Sequence, residues 1–156
     1  MSEKGGSLLV AEFEANFPYD YSAGRFASYF FKQLKDKKQI TGIRCPKCQR
    51  VFVPPRPACG YCFVGNTEWV PLGDEGTLWA YTIVQFPFLD PMTGQERPIP
   101  YGYGYIELEG ASTRLQHFVT ASDLNKLRIG MRMKAVFREE RKGDLADILY
   151  FKAIEK

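Results

Sequence analysis

The four cysteines of this chain constrain its fold more than any other feature. They form two Cys-x-x-Cys pairs, Cys45 with Cys48 and Cys59 with Cys62, and ten residues separate the pairs. This spacing is typical of a zinc ribbon, in which two knuckles offer four thiolates to one tetrahedral ion. A closed site of this kind is typical of structural Zn²⁺. Iron in a redox site remains an alternative, because it needs the same ligands. Since the metal would occupy every thiol, no cysteine is left to act as a nucleophile.

Length and composition indicate an ordinary folded protein. The chain has 156 residues, of which 45% are hydrophobic and 25% charged, and this is enough for one domain or a small one with an appendage. The first residues are polar, and no stretch approaches the roughly 18 apolar residues of a membrane span. We therefore expect a cytoplasmic protein with no membrane contact, in which paired cysteines bind metal. The net charge of +3 is too small to indicate a nucleic-acid partner by itself.

Aromatic residues are concentrated ahead of the cysteine pairs. Eight of them fall within the first 31 residues. After a polar tail, apolar residues recur every four positions between residues 22 and 38, which predicts a helix. A short helix cannot bury so many rings on itself, so they pack either on the rest of the domain or on another protein. Both alternatives remain open. If the rings pack on another protein, we predict partner contacts at Phe26, Tyr29 and Phe30.

The chain after residue 73 alternates apolar and polar residues, which indicates β-strands. We predict strands at 76–85, 101–107, 113–119, 132–138 and 148–153, and a short strand at 40–44 that enters the first knuckle. Three strands, a helical turn and two more strands follow the order of a five-stranded Greek-key barrel of the OB type. The sequence thus predicts a mainly β chain in three parts: an N-terminal tail and aromatic helix (1–38), a zinc ribbon (39–70) and an OB-fold barrel (71–156).

Two features of the predicted barrel strands could bear on function. His117 is the only histidine, and an ordinary histidine titrates near neutral pH, as a general base must. No motif places a nucleophile beside it, so we favour a polar residue at the surface or lining the barrel, and we predict no catalytic residue. Tyr101, Tyr103 and Tyr105 alternate with glycine on one strand. Their rings either line the barrel mouth or, as we favour, belong to the core.

Several motifs occur together in a distinctive order. Pro54-Pro55-Arg56 lies between the knuckles, and the second knuckle is followed by Trp69, by Gly73-Asp74-Glu75-Gly76-Thr77 with Tyr81-Thr82, and by Leu127-Arg128-Ile129-Gly130-Met131 leading into Phe137. With this set the chain resembles, from about Phe26 to Ile154, a widespread bacterial and archaeal family of acyl-CoA-associated proteins. That family combines an N-terminal helical segment, a rubredoxin-like zinc ribbon and a C-terminal OB fold. One departure is Gln49, where many ribbons have glycine, so some strain is expected in the first knuckle.

The resemblance implies an accessory role. Proteins of this family bind thiolases or related acyl-CoA enzymes, and the small subunit of two-component thiolases of aromatic-compound degradation is similar in architecture. A non-catalytic subunit of a hetero-oligomer is implied, one that helps to assemble or shape a CoA or acyl-CoA site. Arg97, Lys126 and Arg128 are then candidates for contact with the CoA phosphates. A single-stranded nucleic-acid-binding module stays open as the alternative, but the mild charge and interleaved acidic residues disfavour it.

Overall fold

The structure is a computed structural model that describes residues 21–89 and 94–154, so the predicted tail, residues 1–20, lies outside the described residues. These ranges contain one α-helix, α1 (Gly24–Lys37), and eight strands. The strands are β1 (Ile40–Arg44), β2 (Val51–Phe52), β3 (Glu68–Leu72), β4 (Glu75–Val84), β5 (Tyr101–Leu108), β6 (Leu115–Thr120), β7 (Arg132–Phe137) and β8 (Ile148–Ala153). Short 3-10 turns span Leu124–Lys126 and Leu145–Asp147. Within the described ranges no helix has the length and apolar character needed to cross a bilayer.

Strands β4 to β8 form a closed barrel. Its order is β4-β5-β6-β8-β7, and β7 pairs with β4 to close it. Neighbouring strands are antiparallel except β6 and β8, which run parallel. Three consecutive strands, a 3-10 turn and two further strands that return to the first agree with the predicted OB-type barrel, so the predicted fold class is confirmed. The predicted strands overlap all five observed ones, and the bounds of β8 agree with the prediction.

Strand β5 shows why glycine and tyrosine alternate in this barrel. A Cβ atom on Gly102 would lie 2.4 Å from the carbonyl oxygen of Val119, and one on Gly104 would lie 2.6 Å from that of Ala80. The inward-facing positions of this part of the strand therefore have room only for hydrogen. Because successive side chains point to opposite faces of a sheet, the three tyrosines of β5 lie on the outer surface of the barrel. The expectation that they belong to the core is wrong.

The ribbon is a three-stranded antiparallel sheet in the order β2-β1-β3. Strand β1 has the predicted bounds, whereas the sequence pattern predicts neither β2, which has only two residues, nor β3. Burial along β3 does not alternate, and Pro71 lies within it. Proline is tolerated because β3 is an edge strand, where one side of the backbone needs no partner.

Helix, ribbon and barrel share one hydrophobic core. Phe30 and Leu34 of α1 are buried in the same cluster as Leu72 of β3 and Ile148 and Phe151 of the barrel. A second, smaller cluster lies beneath the knuckles and contains Ile43, Cys45, Phe52 and Cys59. The helix therefore packs across the junction between the ribbon and the barrel. The part boundaries expected at residues 38 and 70 stay a prediction.

Candidate metal centre and binding surfaces

The two Cys-x-x-Cys pairs come together in the loops that flank the ribbon sheet. The four Sγ atoms lie within 4.8 Å of one another, and those of Cys48 and Cys59 are 3.7 Å apart. Cys45 and Cys59 are buried, whereas Cys48 and Cys62 are half-buried. Four sulfur atoms bound to one zinc ion at about 2.3 Å would lie about 3.8 Å from one another in a regular tetrahedron. The donor atoms therefore fit Zn²⁺, which would act there as a structural staple.

Each knuckle has the same backbone geometry. The amide of Gln49 donates to the carbonyl oxygen of Cys45, and the amide of Phe63 donates to that of Cys59, both at 3.0 Å. Gln49 and Phe63 adopt φ angles of 61° and 56°. A left-handed residue at this point turns the chain back tightly, so that backbone amides of the knuckle point at the cysteine sulfur atoms. The amide of Cys62, for example, lies 3.4 Å from Sγ of Cys59. The left-handed turn expected after the first knuckle thus occurs, and it is repeated after the second.

The thiols of the centre differ in how readily they lose a proton. A hydrogen bond from the backbone amide of Arg50 lowers the pKa of Cys48 to about 6. Burial raises the pKa of Cys62 to about 12. A coordinated thiol is deprotonated by the metal, so metal binding displaces at least the Cys62 proton at neutral pH. The apparent metal affinity therefore falls as the pH is lowered.

The outer surface of β5 and β6 carries a group of rings that we name the outer aromatic face: Tyr101, Tyr103, Tyr105 and Phe118. The ring centroid of Phe118 lies 5.1 Å from that of Tyr103 and 5.7 Å from that of Tyr101. Tyr105 is 42% exposed, and partial burial raises the pKa of Tyr103. Strands β5 and β6 are the second and third strands of the barrel, whose outer surface is the binding face of many OB folds. This face is a candidate ligand-binding surface.

Arg97, the first of the three predicted phosphate contacts, lies over the outer aromatic face. Its guanidinium carbon is 3.8 Å from the ring centroid of Phe118 and 5.9 Å from that of Tyr101. At these distances the cation is attracted by the electron-rich faces of both rings. The loop between β4 and β5 thus brings a positive charge to an aromatic surface.

Lys126 and Arg128, the other two predicted phosphate contacts, lie between β6 and β7. Lys126 ends the first 3-10 turn and is exposed. The guanidinium of Arg128 donates to the backbone carbonyl oxygens of Asn125 and Leu127, at 2.5 and 2.6 Å. Arg128 therefore holds the backbone of its own turn, whereas the ammonium group of Lys126 extends into solvent.

Comparisons with known proteins show which family the chain belongs to. Residues 35–68 match the rubredoxin-like zinc ribbon domain of ChsH2, and residues 69–138 match its C-terminal OB-fold domain. A DUF35 domain-containing scaffold protein of Methanocaldococcus jannaschii is 30% identical over 131 residues, which cover 80% of this chain and 89% of that protein. The chain belongs to the DUF35 family.

Two further relatives agree with this assignment. The benzoylsuccinyl-CoA thiolase subunit BbsA of Thauera aromatica is 33% identical to the DUF35 chain over 70 residues, 44% of each protein. Among solved structures, the Ltp2-ChsH2(DUF35) aldolase contains a chain with a TM-score of 0.65 and 22% identity. The similarity covers 87% of this chain and all of that one. At this identity the structural likeness shows the fold, and it confirms the predicted combination of a ribbon and an OB barrel.

His117 of the DUF35 chain lies inside the barrel. It is 4% exposed, and its Nε2 atom lies 3.4 Å from the carbonyl oxygen of Leu145. Its buried Nδ1 atom has no hydrogen-bond partner among the described residues. Burial lowers the pKa of His117, so the imidazole is neutral at pH 7. The residue lines the barrel, which is one of the two placements that we favoured.

The three rings predicted to contact a partner lie where α1 meets the ribbon of the DUF35 chain. Phe30 is 2% exposed and belongs to the main core, so in this conformation it is not accessible to another protein. The Tyr29 ring stacks on Trp69 with centroids 4.0 Å apart, and the Phe26 centroid lies 5.9 Å from that of Trp69. Tyr29 remains 37% exposed. This packing favours the open alternative that the helix docks on its own domain.

Two surface groups of the DUF35 chain are not found by sequence reasoning. Trp79 lies at a β-bulge in β4, where it is 50% exposed and the guanidinium of Arg114 lies 4.0 Å from its ring centroid. Tyr61 and Phe63 protrude from the second knuckle and are 66% and 87% exposed. A signal for Phe63 was present in the sequence, since it follows the second cysteine pair as Gln49 follows the first.

Proposed function

We propose that this DUF35 chain is a non-catalytic accessory subunit that binds a thiolase-like acyl-CoA enzyme and helps to form its CoA or acyl-CoA site. The observation that carries the proposal is the chain's kinship with proteins of this kind. One relative is a scaffold protein, and another, similar over 70 residues, is a subunit of benzoylsuccinyl-CoA thiolase. A scaffold acts through contacts with its enzyme. Exposed rings and cations are therefore what its surface should offer.

The placement of the thiols supports a role without catalysis. Thiolase chemistry needs a cysteine that becomes acylated and a base. Here the four Sγ atoms lie within 4.8 Å of one another, where a zinc ion would engage all of them. His117 is buried in the barrel, and burial lowers its pKa. The nucleophile and the base therefore come from the partner enzyme.

The outer aromatic face is the part of the barrel that best suits CoA. The adenine ring of CoA can stack on an exposed aromatic ring, and its phosphate groups pair with arginine. Arg97 lies 3.8 Å from the centroid of Phe118, so a base and a phosphate could be held side by side. Arg97 is the cation that lies over this face, whereas Arg128 donates to two backbone carbonyl oxygens in the turn between β6 and β7. We therefore infer that Arg97 is the main CoA contact and that Lys126 is a second one.

The subunit role is tested by recovering the tagged chain from an extract of its native cell and identifying bound proteins by mass spectrometry. We expect stoichiometric recovery of a thiolase-like acyl-CoA enzyme, and acyl-CoA turnover by the complex but not by this chain alone. Turnover by the isolated chain, or recovery without an acyl-CoA enzyme, would contradict the proposal.

The CoA contact is tested by calorimetric titration of CoA into that complex. Arg97→Gln removes one charge-assisted hydrogen bond, which corresponds to about tenfold weaker binding. Lys32→Gln, at an exposed lysine of α1, is the matched control and should bind CoA as the unaltered complex does. Equal CoA affinity in the Arg97→Gln complex would exclude Arg97 as the main CoA contact and leave the chain's role as a subunit intact.

A second candidate function is the binding of single-stranded nucleic acid. The outer aromatic face favours it, because aromatic rings on this surface of an OB fold stack with bases. Against it, a single strand carries a phosphate at every nucleotide, whereas Arg114 beside this face is already paired with Glu107 at 2.9 Å, so this cation is not available to follow the strand. Titration with a labelled oligonucleotide at two salt concentrations separates the candidates, since nucleic-acid binding would weaken steeply with salt.

A further inference from the structure

The tip of the second knuckle presents two large rings to solvent. We name Tyr61 and Phe63 the knuckle tip; they are 66% and 87% exposed. The guanidinium carbon of Arg50 lies 4.2 Å from the centroid of the Tyr61 ring, which holds that ring on one side. Phe63 packs so little of its surface against the chain that its ring contributes little to folding.

Phe63 also has a backbone conformation that its side chain disfavours. Its φ of 56° lies in the left-handed region. Bulky residues are uncommon in this region, whereas glycine adopts it without strain. Gln49 occupies the equivalent position of the first knuckle with φ of 61°, but its side-chain amide donates to the carbonyl oxygen of Pro46 at 2.9 Å. That hydrogen bond offsets part of the strain at Gln49. An exposed phenylalanine in the same conformation has no comparable gain within the fold, and strain of this kind is often associated with function.

The charged side chains on the chain segment that carries the knuckle tip all have one sign. From Cys45 to Thr67 the sequence contains no acidic residue. Its cations, Lys47, Arg50 and Arg56, are all exposed. A zinc ion with four thiolates would add a formal charge of about −2, and the Arg50 side chain hydrogen-bonds to Cys48 at the edge of that site. Lys47 and Arg56 remain exposed beside it. Exposed aromatic rings beside arginine are the composition of interface hot spots.

We propose that the knuckle tip is the anchor by which this chain docks on its acyl-CoA enzyme, with Phe63 inserted into an apolar pocket that has carboxylates at its rim. This inference rests on the proposed function, because the partner is the enzyme named there. The charge pattern selects the occupant. A second copy of the chain would bring the same cations face to face across a symmetric interface, whereas an acidic rim complements them.

The experiment compares two glycine variants in the pull-down and in a binding titration with the recovered enzyme. Phe63→Gly removes the anchor and relieves the left-handed strain, so the variant should keep or raise the thermal midpoint and bind the enzyme at least about 30-fold more weakly. Gln49→Gly changes the equivalent position of the first knuckle, and it should keep both its fold and its affinity. If the Phe63→Gly variant keeps its thermal midpoint, its weaker binding cannot be caused by unfolding.

The outcomes separate this inference from the proposed function. Recovery of the enzyme by Gln49→Gly but not by Phe63→Gly supports the anchor. Equal recovery by both variants overturns the anchor and leaves the accessory role standing. Recovery of no acyl-CoA enzyme by the unaltered chain overturns the proposed function and this inference with it. If Phe63→Gly instead converts a dimer into a monomer in sedimentation, a second copy is the occupant and the proposal is wrong.

Discussion

The ribbon and the barrel hold their shapes by different means. The cluster under the knuckles has four buried residues, and two of them, Cys45 and Cys59, are candidate metal ligands. The barrel strands close on one another around a continuous apolar core. A short three-stranded sheet buries little apolar surface, and domains this small usually need a metal or disulfides. The knuckle end of the ribbon therefore depends on its metal, while the barrel and the ribbon strands that share its core depend on packing. The two regions should respond differently to perturbation.

Loss of a metal ligand should produce the largest effect, and it should be confined to the ribbon. Cys59→Ser removes a buried ligand from a site whose metal contributes on the order of 10 kcal/mol to folding in comparable small domains. We expect zinc content, measured by mass spectrometry of the metal, to fall well below one ion per chain. Amide resonances of residues 45–67 should broaden or collapse in two-dimensional NMR spectra, while those of the barrel persist.

The neighbouring exposed residue offers the control. Ala58→Ser adds the same hydroxyl group beside Cys59 and should leave zinc content and spectrum unchanged. If barrel resonances disappear together with those of the ribbon in Cys59→Ser, the two regions fold as one unit and the contrast between them is wrong.

Substitutions that add a side-chain atom should destabilise the barrel more than the ribbon. A Cβ atom on Gly104 in the barrel would lie 2.6 Å from the carbonyl oxygen of Ala80, whereas one on Gly65 in the ribbon meets no atom within 4 Å. Gly104→Ala should lower the free energy of unfolding by about 1–3 kcal/mol, as overpacking does. Gly65→Ala should change it by less than about 0.5 kcal/mol, as surface substitutions do. Urea denaturation checks both, and equal effects would contradict the account of the barrel interior.

The buried histidine should make the barrel sensitive to acid. Burial lowers the pKa of His117 in the folded state, so protonation favours the unfolded chain. The contribution to stability is complete above the ordinary value of about 6.5 and is lost as the pH falls through the lowered folded pKa, at about 1.4 kcal/mol for each pKa unit. His117→Gln should flatten that part of the curve of unfolding free energy against pH. A variant with the same curve as the original chain would show that His117 does not titrate on unfolding.

The surface ion pair of the ribbon should contribute least to the stability of the fold. Arg44 and Glu68 lie 3.2 Å apart, with side chains 33% and 59% exposed. Exposed pairs of this kind contribute about 0–1 kcal/mol, so Glu68→Gln should shift the thermal midpoint only slightly. A large drop in the thermal midpoint would mean that side-chain pairing, rather than the metal, holds the ribbon together.

The sequence predicts features that depend on local pattern and misses those that depend on how the chain packs. Cysteine spacing and strand alternation predict the ribbon and the barrel, because both patterns are local. The outward direction of the β5 tyrosines depends on close contacts such as that between Gly102 and Val119, which no strand pattern reveals. The position of Arg97 over Phe118 and the exposure of Phe63 likewise follow from tertiary placement. Phe30 is predicted as a partner contact because it is aromatic. The same helical periodicity is equally compatible with a ring that packs inward on the chain's own core.

We propose that two regions of this chain bind different parts of an acyl-CoA enzyme complex: the knuckle tip binds the enzyme, and the outer aromatic face binds CoA. Hydrogen exchange measured by mass spectrometry distinguishes the two contacts, when the free chain is compared with its complex with the enzyme recovered from native extract, each with and without CoA. We predict that complex formation slows exchange at residues 59–65 and that CoA further slows it on the outer aromatic face, at residues 101–105 and 118. A complex in which exchange changes in neither region, with or without CoA, would contradict the account.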